Sequence, residues 1–272
     1  MRSWIRIGSV SLLFFFFFAL FVLPLQAQNS EQLEVGPPPL HRADPPAPGA
    51  TPEELETRGD ELRTQKNFLD AVDYYRAALK STPGSTSLFN KIGLCQLQMH
   101  RDKEAKKSFE RSIKADRSHA DAYNNLGATY YDMRNNNAAI KHYEKAISLN
   151  NDAASYYSNL GTAYFGKKQF QKAIQNYSKA VQLDPDIFVR SSHAGIQAKL
   201  ASPEDRAHYD YVLAKLYAGT GEPERSLHYL KKAMEEGYKD IKNVYRDNEF
   251  STLRNDPRFA ELMAAKTTAI PD

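Results

Sequence analysis

The sequence predicts an all-α protein built from stacked antiparallel helix pairs, and three recurring residue classes predict it. An alanine follows each of four evenly spaced glycines by twelve residues, and an aromatic residue follows each by sixteen. Such internal repetition at a fixed period is typical of stacked-repeat architectures. The period is 34 residues, and its members are Gly59, Gly93, Gly127 and Gly161, Ala71, Ala105, Ala139 and Ala173, and Tyr75, Phe109, Tyr143 and Tyr177.

Each period contains two predicted helices. In the third copy, apolar and aromatic residues recur at helical spacing from 123 to 130, "RNNN" interrupts the pattern, and a second helical pattern continues through Ala139 and Tyr143. Glycine inside a helix costs about 1 kcal/mol relative to alanine, so Gly127 needs a structural reason. We expect it to face the small Ala139 at a close contact between the two helices, with the aromatic residues filling the space against the next pair. One pair cannot bury both of its sides, so neighbouring pairs must stack.

These positions resemble the tetratricopeptide repeat (TPR), a 34-residue pattern of an aromatic residue, Leu-Gly, Tyr, Ala, an aromatic residue and Pro. The first two copies depart from it, because Leu62 and Gln96 replace the first-helix tyrosine. The resemblance implies a right-handed superhelical solenoid of antiparallel helix pairs. The fourth copy matches throughout, with Tyr157, Leu160, Gly161, Tyr164, Ala173, Tyr177, Ala180 and Pro185.

The pattern divides the chain into six predicted segments. Ser202 with Pro203 and Asp256 with Pro257 are typical helix starts, because a polar cap followed by proline suits the first turn. A degenerate fifth copy begins at Ala207. The predicted segments are a signal peptide or anchor (1–27), a Pro-rich linker (28–51), four TPR-like repeats (52–187), an irregular insertion and helix start (188–206), the fifth repeat (207–240) and C-terminal capping helices (241–272).

The amino terminus has the layout of an export signal. Arg2 and Arg6 precede an apolar run from 7 to 23, and the small residue Ala27 offers a cleavage point. Cleavage after Ala27 is the favoured interpretation, and retention of residues 7–23 as a membrane anchor is the alternative. Both predict an exported protein, periplasmic or secreted, with membrane contact only through this segment and only if it is not cleaved.

Composition excludes several function classes. The 36 basic and 33 acidic residues are mixed along the chain, which does not predict a nucleic-acid-binding face. Cys95 is the single cysteine, so no internal disulfide can form, and its apolar surroundings predict a buried, unreactive thiol. The seven histidines lack metal-site spacing, and no nucleophile, phosphate-loop or dinucleotide motif is present. We therefore expect no enzyme activity, no cofactor and no metal.

The resemblance implies that the first helix of each pair lines a concave groove that binds extended peptides. A partner protein or peptide segment is therefore expected, held by amides and aromatic rings more than by charge. The alternative is an accessory or recruiting subunit of an envelope enzyme complex acting on cell-wall or secreted polymers. The acidic Glu56, Asp60 and Asp121 stand where the chaperone-tail-binding branch of the family carries basic or amide residues, which argues against that branch. The expected peptide-binding residues, taken to be exposed, are Asn90, Leu94, Asn124, Asn125, Ala128, Tyr131, Ser158, Asn159, Thr162 and Phe165.

Overall fold

The computed structural model describes residues 42–188 and 202–265. Every regular element in these ranges is helical, as the sequence predicts, and none of their helices is long and apolar enough to cross a membrane. The predicted signal or anchor, the linker up to residue 41, the insertion from 189 to 201 and the last seven residues lie outside the described ranges.

Eleven α-helices and three short 3-10 helices follow one another in the described ranges. Ser202 and Asp256 cap the helices that begin at Pro203 and Pro257, as predicted. The 3-10 helices are Ile241–Tyr245, Asn248–Phe250 and Leu253–Asn255. The α-helices are α1 (Pro52–Thr64), α2 (Phe68–Ser81), α3 (Thr86–Gln98), α4 (Asp102–Ala115), α5 (Ala120–Asp132), α6 (Asn136–Leu149), α7 (Ala154–Gly166), α8 (Phe170–Leu183), α9 (Pro203–Gly219), α10 (Pro223–Glu235) and α11 (Pro257–Ala264).

Consecutive helices form five pairs, from α1 with α2 to α9 with α10. Each of the first three second helices also packs on the first helix of the following pair. The first helices α3 and α5, and α5 and α7, contact each other as well, whereas the second helices α2, α4, α6 and α8 stay farther apart. The first helices therefore lie on the inner side of the stack and the second helices on its outer side.

Each of the four repeated glycines lies under the aromatic ring of its own pair. A Cβ added to Gly161 would come within 2.5 Å of the Tyr177 ring and 3.2 Å of the Ala173 carbonyl oxygen. The other three glycines meet Tyr75, Phe109 and Tyr143 in the same way. The predicted close contact is present, but its main partner is the ring sixteen residues later. The rings also pack toward the next pair, as predicted, since the Tyr177 ring lies 5.6 Å from that of Tyr209 on α9.

The fifth pair replaces both members of this contact. Ala214 of α9 takes the glycine position, and the fully buried Leu230 of α10 takes the aromatic position. Ser226 takes the alanine position, and its hydroxyl donates to the Ala214 carbonyl at 2.8 Å. In the fifth pair, Ala214 adds a methyl group at the glycine position, and Leu230 replaces the aromatic ring that would otherwise lie against it.

Each of the four repeated turns between paired helices holds a basic residue in the left-handed backbone conformation. The φ angles are 64° at Lys66, 57° at His100, 62° at Arg134 and 59° at Lys168. In each turn, the following residue donates its N–H to the carbonyl five positions earlier, as from Asn67 to Leu62 at 2.8 Å. This is the Schellman arrangement, which satisfies carbonyls left over at a helix end. Gly221 occupies the equivalent position after α9 with φ 79°.

Residues 42–50, the end of the predicted linker, pack against the first helix pair. Arg42 pairs with Asp70 and Asp73 of α2, each at 2.5 Å, and the Tyr74 hydroxyl donates to the Asp44 carbonyl at 3.0 Å. Ala43 and Ala50 pack against the apolar core of this pair. This stretch is therefore part of the folded unit and covers the outer side of α2.

Candidate peptide-binding face

The inner face is defined here as the side of α1, α3, α5, α7 and α9 that points away from the second helices. All ten residues predicted to bind peptide lie on α3, α5 and α7. Asn90 and Leu94 are half-buried, but the other eight are buried, so the expectation that they are exposed is wrong. The buried eight are Asn124, Asn125, Ala128, Tyr131, Ser158, Asn159, Thr162 and Phe165.

A chain of side-chain amides explains much of this burial. Asn159 on α7 donates to Asn124 on α5 at 3.0 Å, and Asn124 donates to Asn125 at 3.3 Å. Asn125 in turn donates to Asn90 on α3 at 3.0 Å. An amide can donate and accept at once, so one chain of bonds crosses three first helices. These amides bond to one another and hold neighbouring pairs in register.

Four further hydroxyl groups on or beside the inner face also find partners within the chain. The hydroxyls of Thr129 and Thr162 donate to the carbonyls four residues earlier, at 2.9 and 3.0 Å. The Tyr177 hydroxyl donates to Thr162 at 3.2 Å, and the Tyr156 hydroxyl donates to Asp121 at 2.5 Å. Burial, followed by this bond to Asp121, raises the pKa of Tyr156 and keeps its hydroxyl protonated.

The amino-terminal part of the inner face is a charge cluster. Lys91 on α3 lies 2.7 Å from Glu56 and 2.6 Å from Asp60, both on α1. Tyr75 donates a further hydrogen bond to Asp60 at 2.7 Å. Lys91 is therefore already bound to two carboxylates and cannot serve a ligand carboxylate without losing them. This agrees with the argument against chaperone-tail binding.

A cavity of about 500 Å³ opens between α5, α7 and α9, and two predicted residues, Tyr131 and Phe165, line it. The rings of Phe165 and Phe170 lie 5.3 Å apart, and His208 is 5.4 and 4.2 Å from them. Burial lowers the pKa of His208, so its ring is neutral at neutral pH. The cavity thus has an aromatic floor.

Charged residues of both signs form the rim of this aromatic cavity. The basic residues are Arg134 and Lys168, at the left-handed turn positions of the third and fourth pairs. The acidic residues are Glu204 and Asp205, in the first turn of α9. Asn136 and Phe170 also line the cavity and were not predicted. They stand one period apart but belong to different residue classes, so the repeat pattern gives no signal for them.

On α9 the inner face is covered by the chain itself. Tyr211 donates to Asp247 at 2.8 Å, and Lys215 pairs with Asp247 at 3.0 Å and Glu249 at 3.4 Å. The buried Phe250 packs 5.6 Å from the Tyr211 ring. Tyr211 and Lys215 stand at the repeat positions that Ser158 and Thr162 hold on α7. A polypeptide segment therefore lies against the inner face in the fifth pair.

The described residues contain no group of three or more His, Cys, Asp or Glu side chains placed to hold a metal ion. Cys95 is buried, as predicted, and burial raises its pKa to about 12. The fold defines a helical-repeat protein of stacked antiparallel pairs.

Family models identify the repeats. Residues 86–119 and 118–186 match models of the tetratricopeptide repeat, so this part of the chain consists of TPRs, a fold that typically serves protein–protein interaction. None of the curated proteins compared with the chain matches it significantly.

Several solved structures are similar to the chain. MamA is 26% identical, with 68% of this chain and 96% of that one covered and a TM-score of 0.47. YrrB, described as a TPR protein with an unusual peptide-binding site, is 17% identical, with 71% and 90% covered and a TM-score of 0.46. TTC0263, a TPR protein of Thermus thermophilus, is 19% identical, with 79% and 100% covered and a TM-score of 0.48.

Proposed function

We propose that the chain is a non-enzymatic scaffold that binds an extended polypeptide along its inner face and takes an apolar side chain of that partner into the aromatic cavity. The observation that carries this proposal is the cavity itself, which opens beside α9, where residues 247–250 of the chain already cover the inner face. The TPR models support a binding role.

The geometry divides the predicted peptide-binding residues into two groups. Tyr131 and Phe165 form part of the cavity floor, and the half-buried Asn90 and Leu94 extend the face toward α1. The buried amides hold the helices that carry these contacts and do not touch the partner. Aromatic floors offer a large apolar area at low entropic cost, and the rims of opposite charge orient the flanking residues.

Capture of partners by full-length protein tests the role of the cavity. Phe170→Ala removes a half-buried ring from the cavity and is expected to reduce capture of a cross-linked partner about tenfold, since it removes an apolar anchor worth over ~1 kcal/mol. Tyr164→Ala is the matched control, because this half-buried ring faces Lys172 and Glu144 instead. Circular dichroism verifies that both variants fold. Equal capture by wild type and Phe170→Ala would contradict the proposal.

We further propose that the protein is exported, either released by cleavage after Ala27 or anchored through residues 7–23. The basic and apolar pattern of the first 27 residues supports this. Amino-terminal sequencing of the protein from fractionated cells is expected to find Gln28 as the first residue. A cytoplasmic protein with an intact amino terminus would overturn the export proposal without affecting the binding proposal.

A further inference from the structure

The fold separates charges that are mixed along the sequence. The first helices α1, α3, α5 and α7 contain 7 acidic and 3 basic residues, whereas the second helices α2, α4, α6 and α8 contain 11 basic and 6 acidic residues. The outer face, defined here as the exposed side of these second helices, is therefore net positive. Such a face is not evident from the sequence, because the two kinds of helix alternate along the chain.

A cavity of about 460 Å³ lies on this outer face, between α2, α3 and α4. Leu79, Phe89 and Ile92 provide its apolar lining. Four basic side chains surround this lining, and the Arg111 guanidinium lies over the Phe89 ring, 5.7 Å from its centre. The basic residues are Arg76, Lys107, Arg111 and Lys114.

Most of this positive charge has no partner within the described part of the chain. Two carboxylates also line the cavity, but Glu104 lies 3.8 Å from Arg101 and Glu110 lies 3.7 Å from Lys106. Among the described residues, Arg76, Lys107 and Lys114 form no ion pair. An anionic ligand could therefore pair with these cations without breaking an existing ion pair.

We propose that this outer groove binds an acidic polypeptide segment that also carries apolar side chains. Its carboxylates would pair with Arg76, Lys107 and Lys114, and an apolar side chain would cover Leu79 and Ile92. A nucleic acid fits less well, because its evenly charged backbone would meet Glu104 and Glu110, whereas a polypeptide can space its carboxylates around them. The groove lies on the opposite side from the inner face, so the scaffold can hold two partners at once.

Fluorescence anisotropy with the full-length protein tests this proposal. The probe is a fluorescein-labelled peptide of repeated Glu-Leu-Asp-Glu-Leu units, and its Lys-for-acid counterpart is the negative probe. The double variant Arg76→Glu and Lys114→Glu is expected to weaken binding of the acidic probe at least about tenfold, since it replaces attraction by repulsion on both α2 and α4. Leu79→Ser is expected to weaken binding without changing the salt dependence.

The matched control is Lys141→Glu with Lys179→Glu, which makes the same charge change on the outer side of α6 and α8. We expect this control to change affinity by no more than about twofold, because exposed charges beyond the groove are screened by salt. If the control weakens binding as much as the groove variant, or if single-stranded DNA binds more tightly than the peptide, the attraction is a diffuse one to any polyanion and the proposal is wrong. Phe170→Ala should leave acidic-probe binding unchanged, which separates this test from that of the inner face.

Discussion

Lys66 lies in a left-handed turn, and replacing it is expected to change the free energy of unfolding. Lys66 has φ 64°, a conformation that costs most residues about 1–2 kcal/mol and glycine very little. Lys66→Gly is therefore expected to raise the free energy of unfolding, by up to about 1 kcal/mol after the added flexibility of the unfolded chain is counted. Gln65→Gly, at the preceding position with φ −75°, should instead lower it by about 0.5–1 kcal/mol. Urea unfolding measures both, and equal losses would show that Lys66 is not strained.

Cys95 reports on opening of the first helix pairs. Burial raises its pKa from 9.0 to about 12, so the folded state keeps the proton at pH values where the unfolded chain loses it. The contribution of this thiol to stability is therefore constant below pH 9 and declines as pH rises toward 12. At pH 8 we expect a thiol reagent to leave the native protein unmodified and to react fully in urea. Native-state labelling as fast as that of free glutathione would contradict the burial of this residue.

At the scale of the helix pair, glycine and ring form a matched contact. Gly161→Ala places a methyl against the Tyr177 ring and is expected to lower the free energy of unfolding by about 1–3 kcal/mol. The fifth pair combines Ala214 with Leu230, which indicates that a leucine in place of the ring makes room for the added methyl group. Gly161→Ala with Tyr177→Leu should be less destabilised than the sum of the single changes, by about 1 kcal/mol or more. Gly84→Ala, where an added Cβ meets nothing within 4 Å, is the control. Additive losses would contradict the matched contact.

The sequence predicted the helix pairs and the caps at Ser202 and Asp256, but not that the ring is the main partner of the glycine, for a physical reason. Ala173 and Tyr177 stand four residues apart on α8 and so share one face of the helix. Periodicity identifies the face that approaches Gly161 and cannot decide which of two neighbours on that face touches it. The fifth pair was predicted although its helix glycine is lost, because other residues keep the repeat spacing, namely Leu213, Ala214, Tyr217, Leu230 and Ala233, together with Gly221.

At the scale of the whole molecule, the amide chain joins three pairs and should matter for stability. The sequence pattern alone predicts that replacing Asn125 or Asn159 by alanine affects only binding. Since Asn159 is buried and donates to Asn124, Asn159→Ala leaves a buried acceptor unpaired and should cost about 1–3 kcal/mol. Asn176→Ala, which removes a half-buried amide on α8, should cost less than half as much. Thermal unfolding measures both, and an unchanged melting temperature for Asn159→Ala would contradict this role.

Neither the burial of the inner-face residues nor the positive charge of the outer face could be predicted from the sequence. Whether Asn124 meets Asn159 depends on the distance between neighbouring first helices, which the 34-residue period does not specify. The positive outer face depends on a sum over helices that are separated along the chain, so no single stretch reveals it. Properties that depend on several helix pairs together can be predicted only from the structure of the stack.

The contacts join residues that are close together in the sequence, and this affects when each helix pair can fold. In the described ranges, the side-chain hydrogen bond with the largest sequence separation, from Tyr229 to Phe188, spans 41 residues. Low separation favours rapid folding, and a ribosome adds a 34-residue repeat in roughly 2–7 s. We expect a nascent chain stalled well beyond residue 183 to have protease-resistant early pairs, and uniform digestion would contradict this. Each pair thus needs only the next pair to be synthesised before it can stack, so the pairs fold in the order in which they are synthesised.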